Sequence, residues 1–558
     1  MSSSIAGQVF SFAERSHGRA MALLALLALL CFMPGFVGLQ PMDRDEPRFA
    51  QATKQMLETG DFVDIRFQTE ARFKKPVGIY WMQSAAVAAG EALGVPDARR
   101  SIWLYRIPSL LGAILTVLLT YVAAAGLTTR RAAFMAGALM AGVILLGVEA
   151  RLAKTDAVVA ATVCLSMAAL ARAWVRRAEP ECRLSWGWTL AFWISIGVGV
   201  LVKGPVTPAV PLLASIVLAV SERRAGWLKR LRPLTGFAIV ALIAAPWLVA
   251  ITFKSGGAFF AESVGQDMLA KVGSGQESHF GYPGTYLAVF MGTAWPLSLF
   301  VLLALPFAWR FRGDPAVLFC LAWAVPMWIV FELVPTKLPH YVLPLYPALA
   351  ILVAVAAEKQ KLPREGWVPR VVMGLLPGLV LILAVAATAG LVWLDRVVPI
   401  AALAVFVAAL AVGVLAWRAY FAGAFGTAAL RAAAAAALLS WGAFAFAAPL
   451  FRSVAISPRL VAATASAGCQ PVGYATAGYR EPSLVFLTST DLVMTDGAGA
   501  ADFVQKGGCR IAFVEKRLEP AFVAAGIGAG VSPKLLSRVE GINLNGGRRL
   551  DIGVYLGQ

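Results

Sequence analysis

Charge is scarce in this sequence and histidine nearly absent. Only 14% of the 558 residues are Asp, Glu, Lys or Arg, and 3 are His. A soluble globular chain carries about a quarter charged residues, and a disordered one lacks apolar side chains. Neither fits a chain that is 59% hydrophobic. Metal-ligand spacings of the H-E-x-x-H or C-x-x-C kind are missing. So are a Walker loop, a G-x-S-x-G elbow and a G-x-G-x-x-G turn in a strand-to-helix context, so nothing points to a nucleotide donor. Cysteine is sparse at 6. Cys31, Cys164 and Cys320 lie in apolar runs and Cys182 in a basic loop, where a small buried thiol needs no function. Cys469 and Cys509 share the C-terminal segment. An oxidising compartment would permit a disulfide there; two free thiols suit a small fold equally well.

What the sequence has in abundance is long apolar runs of roughly 18–25 residues, each enough to cross a ~30 Å hydrocarbon core. The stretch SFAERSHGRAMALLALLALL has a basic start and continues apolar to about Leu39 with no A-x-A-like site, which favours an uncleaved first span over a signal peptide. Further spans are expected near 106–127, 132–149, 157–174, 188–203, 205–221, 234–253, 285–308, 315–333, 340–357, 370–394, 397–416 and 427–449, about thirteen in all. With the N-terminus inside, the inside loops hold TTRR, ARAWVRRAEPECR, SERRAGWLKRLR, WRFRGD, EKQKLPREGWVPR and WRAY, while the short outside loops hold isolated charges. The net charge of +18 is therefore a property of inside-facing loops and anionic lipid contact, not of nucleic-acid binding. An odd count puts 450–558 outside.

The expected fold is an all-α polytopic bundle spanning 1–449, with amphipathic surface helices in a long outside loop (about 40–105) and a Gly- and Ser-rich lid (about 254–284). A small α/β domain over 450–558 completes it. In the first loop, Phe49, Ala52, Thr53, Met56 and Leu57 share one helical face and Gln51, Lys54, Gln55 and Glu58 the other, with Gly60 as a stop. Such a helix is expected to lie on the bilayer. A second helix begins near Pro76. In the tail, SPRLVAATASAG reads as helix, and PVGYATA, PSLVFLTS and CRIAFVEK as strands.

The candidates for chemistry gather at the outside rim, where ionisable side chains at membrane depth are costly and so suggest function. Asp45 and Glu46 stand where the first span ends; Asp45 is equally readable as a helix N-cap. Lys74 and Lys75 precede a helix N-terminus, a place suited to a phosphate, though lysines there also reach lipid headgroups. Asp156 opens a span and can face the bundle interior; Glu149, Arg151 and Lys154 share its turn. Lys203 sits at a span end, where snorkelling to the interface is the commoner fate of a lysine. Lys337 and Tyr341 lie four apart, on one face of a helix or as interfacial anchors. His279, in the lid, is a lone histidine.

The stretch RDEPRFAQATKQMLETGDFVDIRFQTEARFKKPVGIYWMQSA resembles the first outside loop of the bacterial GT-C glycosyltransferases that use lipid-linked sugars. The likeness is strongest to the aminoarabinose transferase family that modifies lipid A, within the protein-mannosyltransferase-like superfamily. The matching motifs are Asp45-Glu46, Gly60-Asp61, Phe73-Lys74-Lys75-Pro76 and Tyr80-Trp81, with AKTDA, KGP, ESHFGYPGTYL and TKLPHYVLPLYPALA following. The resemblance covers roughly 20–355. It implies transfer from a polyprenyl (undecaprenyl) phosphate sugar onto lipid A or a related envelope glycolipid, at the periplasmic face of the bacterial inner membrane. The N-terminus would then be cytoplasmic and the tail periplasmic. Asp45 corresponds to the catalytic acidic residue, with Glu46 beside it, and Asp156 to the acidic residue after the third span. Lys75 corresponds to the donor-phosphate lysine and Tyr341 to a tyrosine near the donor. Lys74, Tyr80, Lys203 and Lys337 complete the expected binding set.

No cofactor is required by this chemistry; the resemblance raises one exception, a divalent metal at His279. Lys74 departs from the pattern: the family has an acidic residue there, the metal partner of that histidine, which argues against a metal. The added positive charge favours a neutral or acidic sugar, such as galacturonic acid, over cationic 4-amino-4-deoxy-L-arabinose. Protein O-glycosylation is the alternative within the superfamily. A lipid-linked-sugar transporter is the rival of another class, but it would carry its charges near the midplane.

Overall fold

The computed structural model describes residues 5–42, 44–179, 184–263, 265, 281–528 and 533–557. Among them, 9 helices are long and apolar enough to cross a bilayer, from Ile102–Ala125 to Phe425–Leu450, and three more, His17–Phe32, Val206–Glu222 and Leu297–Arg310, are apolar but shorter. Two expected crossings are broken. The run 132–149 divides into Arg130–Ala141 and Ile144–Glu149, and 285–308 into Thr285–Thr293 and Leu297–Arg310. The breaks repair each other: the Ile144 N–H donates to the Trp295 carbonyl at 3.1 Å. A backbone group freed inside an apolar bundle needs such a partner. Gly142 permits the approach, because a Cβ there would lie 3.1 Å from the Ala433 backbone.

The loops rich in Arg and Lys meet at one end. Lys359 pairs with Asp314 at 2.6 Å, Arg177 with Glu222 at 2.8 Å and Arg131 with Glu14 at 3.2 Å, and Thr128 and Thr129 both donate to Glu358. The other end carries the first long loop and the tail. Helix Asp45–Thr59 stops at Gly60, whose φ of 71° is left-handed and whose N–H donates to Met56. The helix stands outside the bundle as its pattern suggests, yet its polar face is also covered. Gln51 and Lys54 are buried. Lys54 Nζ donates to the Phe486 carbonyl at 3.0 Å and Gln51 to Thr490 at 2.7 Å.

A hairpin of β1 (Arg66–Phe67) and β2 (Glu70–Ala71) follows. Gln68 Nε2 at its tip donates to the Thr490 and Leu492 carbonyls, both at 2.9 Å. The second loop helix is Gly78–Ala92, beginning two residues after Pro76. Gly78 lets it press onto the end of helix Trp186–Lys203: a Cβ there would meet the Leu201 carbonyl at 2.8 Å.

The tail is a mixed sheet with helices. Strands β3 (Gly473–Ala477), β4 (Val493–Thr495), β5 (Arg510–Glu515), β6 (Lys534–Ile542) and β7 (Arg549–Leu556) lie in the order β4-β3-β5-β7-β6, parallel around β3 and antiparallel around β7. Along β5, Ile511 and Phe513 pack on one face and Ala512 and Val514 on the other, as a strand covered on both sides requires. PSLVFLTS, expected as a strand, contains helix Pro482–Leu487 instead. Its consecutive apolar residues are buried all round, against the sheet and against Tyr105, whose ring lies 5.2 Å from that of Phe486. A short buried helix and a buried strand share that pattern. Cys469 and Cys509 form a disulfide. Of the lid expected over 254–284, residues 264 and 266–280 lie outside the described residues; its start is helical, closing helix Pro233–Ser255 and adding the short helix Ala258–Phe260.

Burial pushes the Lys54 ammonium down to about 8, against the opposing pull of Glu58. Released from the tail, it would hold its proton up to the ordinary lysine range, about 10.4. Undocked chains then bind more protons between these values, so docking strengthens as pH rises from about 8 to about 10. Proteolytic resistance of the tail should follow that curve, and Lys54→Met should flatten it. An unchanged pH dependence in the variant would refute the assignment.

Candidate functional site

One buried ion pair positions the site. Glu46 accepts from Arg106 Nε at 2.7 Å and Nη2 at 3.0 Å, and also from the backbone N–H of Met42 (2.7 Å) and Ala153 (2.9 Å). Arg106 spends its remaining donors on the carbonyls of Phe36, Leu39 and Gln40. Three segments are thereby tied together: the exit of the first apolar helix, the start of helix Asp45–Thr59 and the turn 150–155. Glu46 is consumed in this pair and does not reach the cavity beside it, because successive helical residues point about 100° apart.

Asp45 is the first residue of its helix, and Arg44 takes the cap position with φ 85°. The Asp45 carboxylate is therefore not a cap. It is exposed to a cavity of about 840 Å³ and makes no hydrogen bond to a described residue. Lys74, Lys75, Lys154, Asp156, Lys203, His340 and Tyr341 line the same cavity. Lys75 arrives there because Gly78 seats its segment on Leu201, two residues before Lys203. Asp156 pairs with Lys203, whose ammonium also lies 4.9 Å from the Tyr341 ring centroid. Lys154 bonds Glu149 at 3.0 Å. Burial alone would discharge Lys154; Glu149 and Asp156 outweigh it and hold the ammonium above the usual lysine range.

Lys337 and Tyr80 are not brought to this wall. Residues 334–338 run extended, so Thr336 and Leu338 face the cavity and Lys337 faces away. Its ammonium caps helix Pro315–Leu333, donating to the carbonyls of Phe331 (3.2 Å), Glu332 (2.7 Å) and Val334 (2.9 Å). The helical spacing expected for Lys337 and Tyr341 fails for that reason. Tyr80 is fully buried behind Phe49, ring centroids 5.5 Å apart. His279 lies outside the described residues.

Residues the pattern did not nominate complete the wall: Arg44, Arg48, Glu70, Arg72, Glu262 and, from the tail, Arg480, Glu481, Met494 and Asn545. Glu481 is held by Asn543 at 2.7 Å and by Asn545. Of the unnominated groups, Arg106 left the clearest signal, as a lone cation in the apolar run IWLYRIPSLL.

His340 stands between two carboxylates, Nδ1 3.6 Å from Glu149 and Nε2 3.7 Å from Asp156. The three could offer ligand atoms within 4.8 Å of one another. Both carboxylates already carry a lysine ammonium, so a divalent cation would have to displace Lys154 and Lys203. The donor set suits a neutral charge network better than a metal.

A family described as "Dolichyl-phosphate-mannose-protein mannosyltransferase" matches residues 19–257. Among curated relatives, "Undecaprenyl phosphate-alpha-4-amino-4-deoxy-L-arabinose arabinosyl transferase 1" of Pseudomonas fluorescens is 29% identical over 318 residues, 55% of this chain and 54% of the relative. The corresponding transferase of Aeromonas salmonicida is 30% identical over 321 residues, 56% and 55%. The chain thus spans about half the length of the curated relatives it matches. The crystal structure of ArnT from Cupriavidus metallidurans bound to undecaprenyl phosphate superposes with TM-score 0.71 over 95% of this chain and 97% of that one, at 20% identity. That likeness establishes a shared fold, and together these matches bear out the resemblance drawn from the motifs.

Removing Glu46 would leave Arg106 buried without its counter-ion. Glu46→Ala should lower stability by about 3–5 kcal/mol, measured as a fall of about 3–4 °C in Tm of the protein in detergent. A Tm shift under about 0.5 °C, which corresponds to well under 1 kcal/mol for a protein of this size, would show that the pair does not hold the site.

Proposed function

We propose that this chain is an integral-membrane glycosyltransferase, moving a sugar from a polyprenyl phosphate such as undecaprenyl phosphate to lipid A or a related envelope glycolipid. The reading rests on one observation above all. Asp45, a carboxylate that bonds none of the described residues, shares a cavity with Lys75, Lys154 and Lys203 at the end of the bundle away from the basic loops. The named relatives act on an undecaprenyl phosphate donor, and the fold is that of a protein crystallised with undecaprenyl phosphate.

In this reading the membrane is the bacterial inner membrane. The basic loops and N-terminus face the cytoplasm, and the cavity and the tail domain, 450–558, face the periplasm. The Cys469–Cys509 disulfide supports that orientation, since such bonds persist in oxidising compartments.

The chemistry follows from charge. The bond between the anomeric carbon and the phosphate oxygen breaks, and its electron pair leaves with the phosphate. Lys75 and Lys203 stabilise that leaving charge; Asp156 and the Tyr341 ring hold Lys203 in place. Positive charge building on the sugar is stabilised by Asp45. Where the acceptor is a hydroxyl, Asp45 also takes its proton as the new bond forms; where it is an already anionic phosphate oxygen, no proton is taken and Asp45 serves to position the sugar. A single displacement inverts the anomeric centre. The donor bond supplies the driving force, so no nucleotide enters.

Asp45→Asn should lower kcat by about 10²–10⁴-fold, and Lys75→Ala by about 10²-fold or more, with expression and Tm near wild type. Transfer to lipid A from polyprenyl-phosphate sugars, followed by mass spectrometry in reconstituted vesicles, checks both. Near-normal turnover in either variant would remove that residue from the site.

A further inference from the structure

Three arginines in the described residues are buried, and two are fully engaged. Arg106 has Glu46 and three carbonyls. Arg151 donates to the carbonyls of Pro34, Gly147 and Cys31 and to Ser440. Arg72 differs. It is 8% exposed, its guanidinium sits 5.1 Å from the Phe49 ring centroid, and its Nε is buried with no acceptor. No carboxylate of the described residues pairs with it. The buried Tyr80 hydroxyl lies against the guanidinium; a hydroxyl can satisfy a donor but supplies no counter-ion. An unsatisfied buried donor costs about 1–3 kcal/mol and an uncompensated buried cation more.

The position of Arg72 is nonetheless fixed. Its own N–H donates to the Ile65 carbonyl at 2.7 Å, and the hairpin before it is pinned to the tail through Gln68. Arg72 lines the cavity that holds Asp45, with Lys74 two residues on.

We propose that Arg72, with Lys74 beside it, binds a carboxylate on the transferred sugar, so that the preferred donor is a polyprenyl-phosphate hexuronic acid. The inference rests on the transferase reading above and names its donor class. A guanidinium fork matches the two oxygens of a carboxylate. It matches a phosphate as well, but Lys75 and Lys203 already serve the donor phosphate. A cationic amino sugar would meet two like charges in a partly desolvated wall. The Phe49 ring under Arg72 orients its planar fork.

The test uses the full chain in vesicles with three undecaprenyl-phosphate donors, carrying a hexuronic acid, a neutral hexose and 4-amino-4-deoxy-L-arabinose. Wild type should favour the uronate in kcat/KM by about tenfold or more over the neutral sugar. Arg72→Ala should erase most of that preference, mainly through KM. Lys74→Glu, a surface change that leaves Arg72 seated, should shift preference toward the amino sugar. A wild-type preference for the amino or neutral sugar overturns the proposal while leaving the transferase reading intact. So does an equal loss on all three donors in Arg72→Ala, which would assign Arg72 to the shared phosphate. Thermal-shift binding of the same donors separates the two readings. Uronate-selective stabilisation lost in Arg72→Ala, without transfer from any donor, keeps the subsite and removes the reaction; absence of both removes both.

Discussion

The geometry of the cavity depends on the Glu46–Arg106 ion pair. Both side chains are almost fully buried, and every strong donor and acceptor they own is used. Such a pair adds little net stability relative to an apolar replacement, because desolvation offsets its Coulomb attraction. What it supplies is registry. Glu46 bonds the Ala153 N–H, one residue before Lys154, and Arg106 bonds the carbonyls leading out of the first helix. Asp45 precedes Glu46 in sequence, so fixing one fixes the other. The carboxylate that faces the cavity is placed by the carboxylate that does not.

The same division runs through the other charges. Lys337 and Arg151 neutralise carbonyl ends and hold helices; Lys75, Lys203 and Arg72 are turned to the cavity. Both kinds sit at the ends of apolar runs and look alike in composition. They differ in what surrounds them three-dimensionally. A cation held by several carbonyls ends a helix, and one at a cavity wall lined by other charges stands where a ligand would meet it.

That distinction marks the limit of legibility. Apolar runs, basic loops and the Gly60 stop could be read because each is local in sequence. Asp45, Lys75 and Asp156 could be placed at one rim because the first long loop, which carries two of them, and the turn before Asp156 fall on the same side. The error over Lys337 came from assuming helix where Pro335 and Pro339 enforce an extended stretch. Arg72 escaped notice because its significance lies in the lack of a counter-ion among the described residues, which no sequence displays. The tail's share of the wall, Arg480 and Glu481, depends on a contact between residues over 400 positions apart. Helix Pro482–Leu487 was misread because burial on all sides removes the periodicity that tells helix from strand.

The tail also changes what the first loop is. A helix with one apolar face would sit at the bilayer surface and exchange with lipid. Helix Asp45–Thr59 instead buries both faces, one on the bundle and one on the tail, through Gln51 and Lys54. Asp45 at its start and Arg72 on the hairpin at its side are then held by two bodies at once. Catalysis by preorganised charge needs donors and acceptors that do not relax when the reaction begins. A loop held from one side would have allowed such relaxation. In the proposed reaction the tail would thus contribute without supplying the reacting carboxylate, by clamping the segment that carries Asp45.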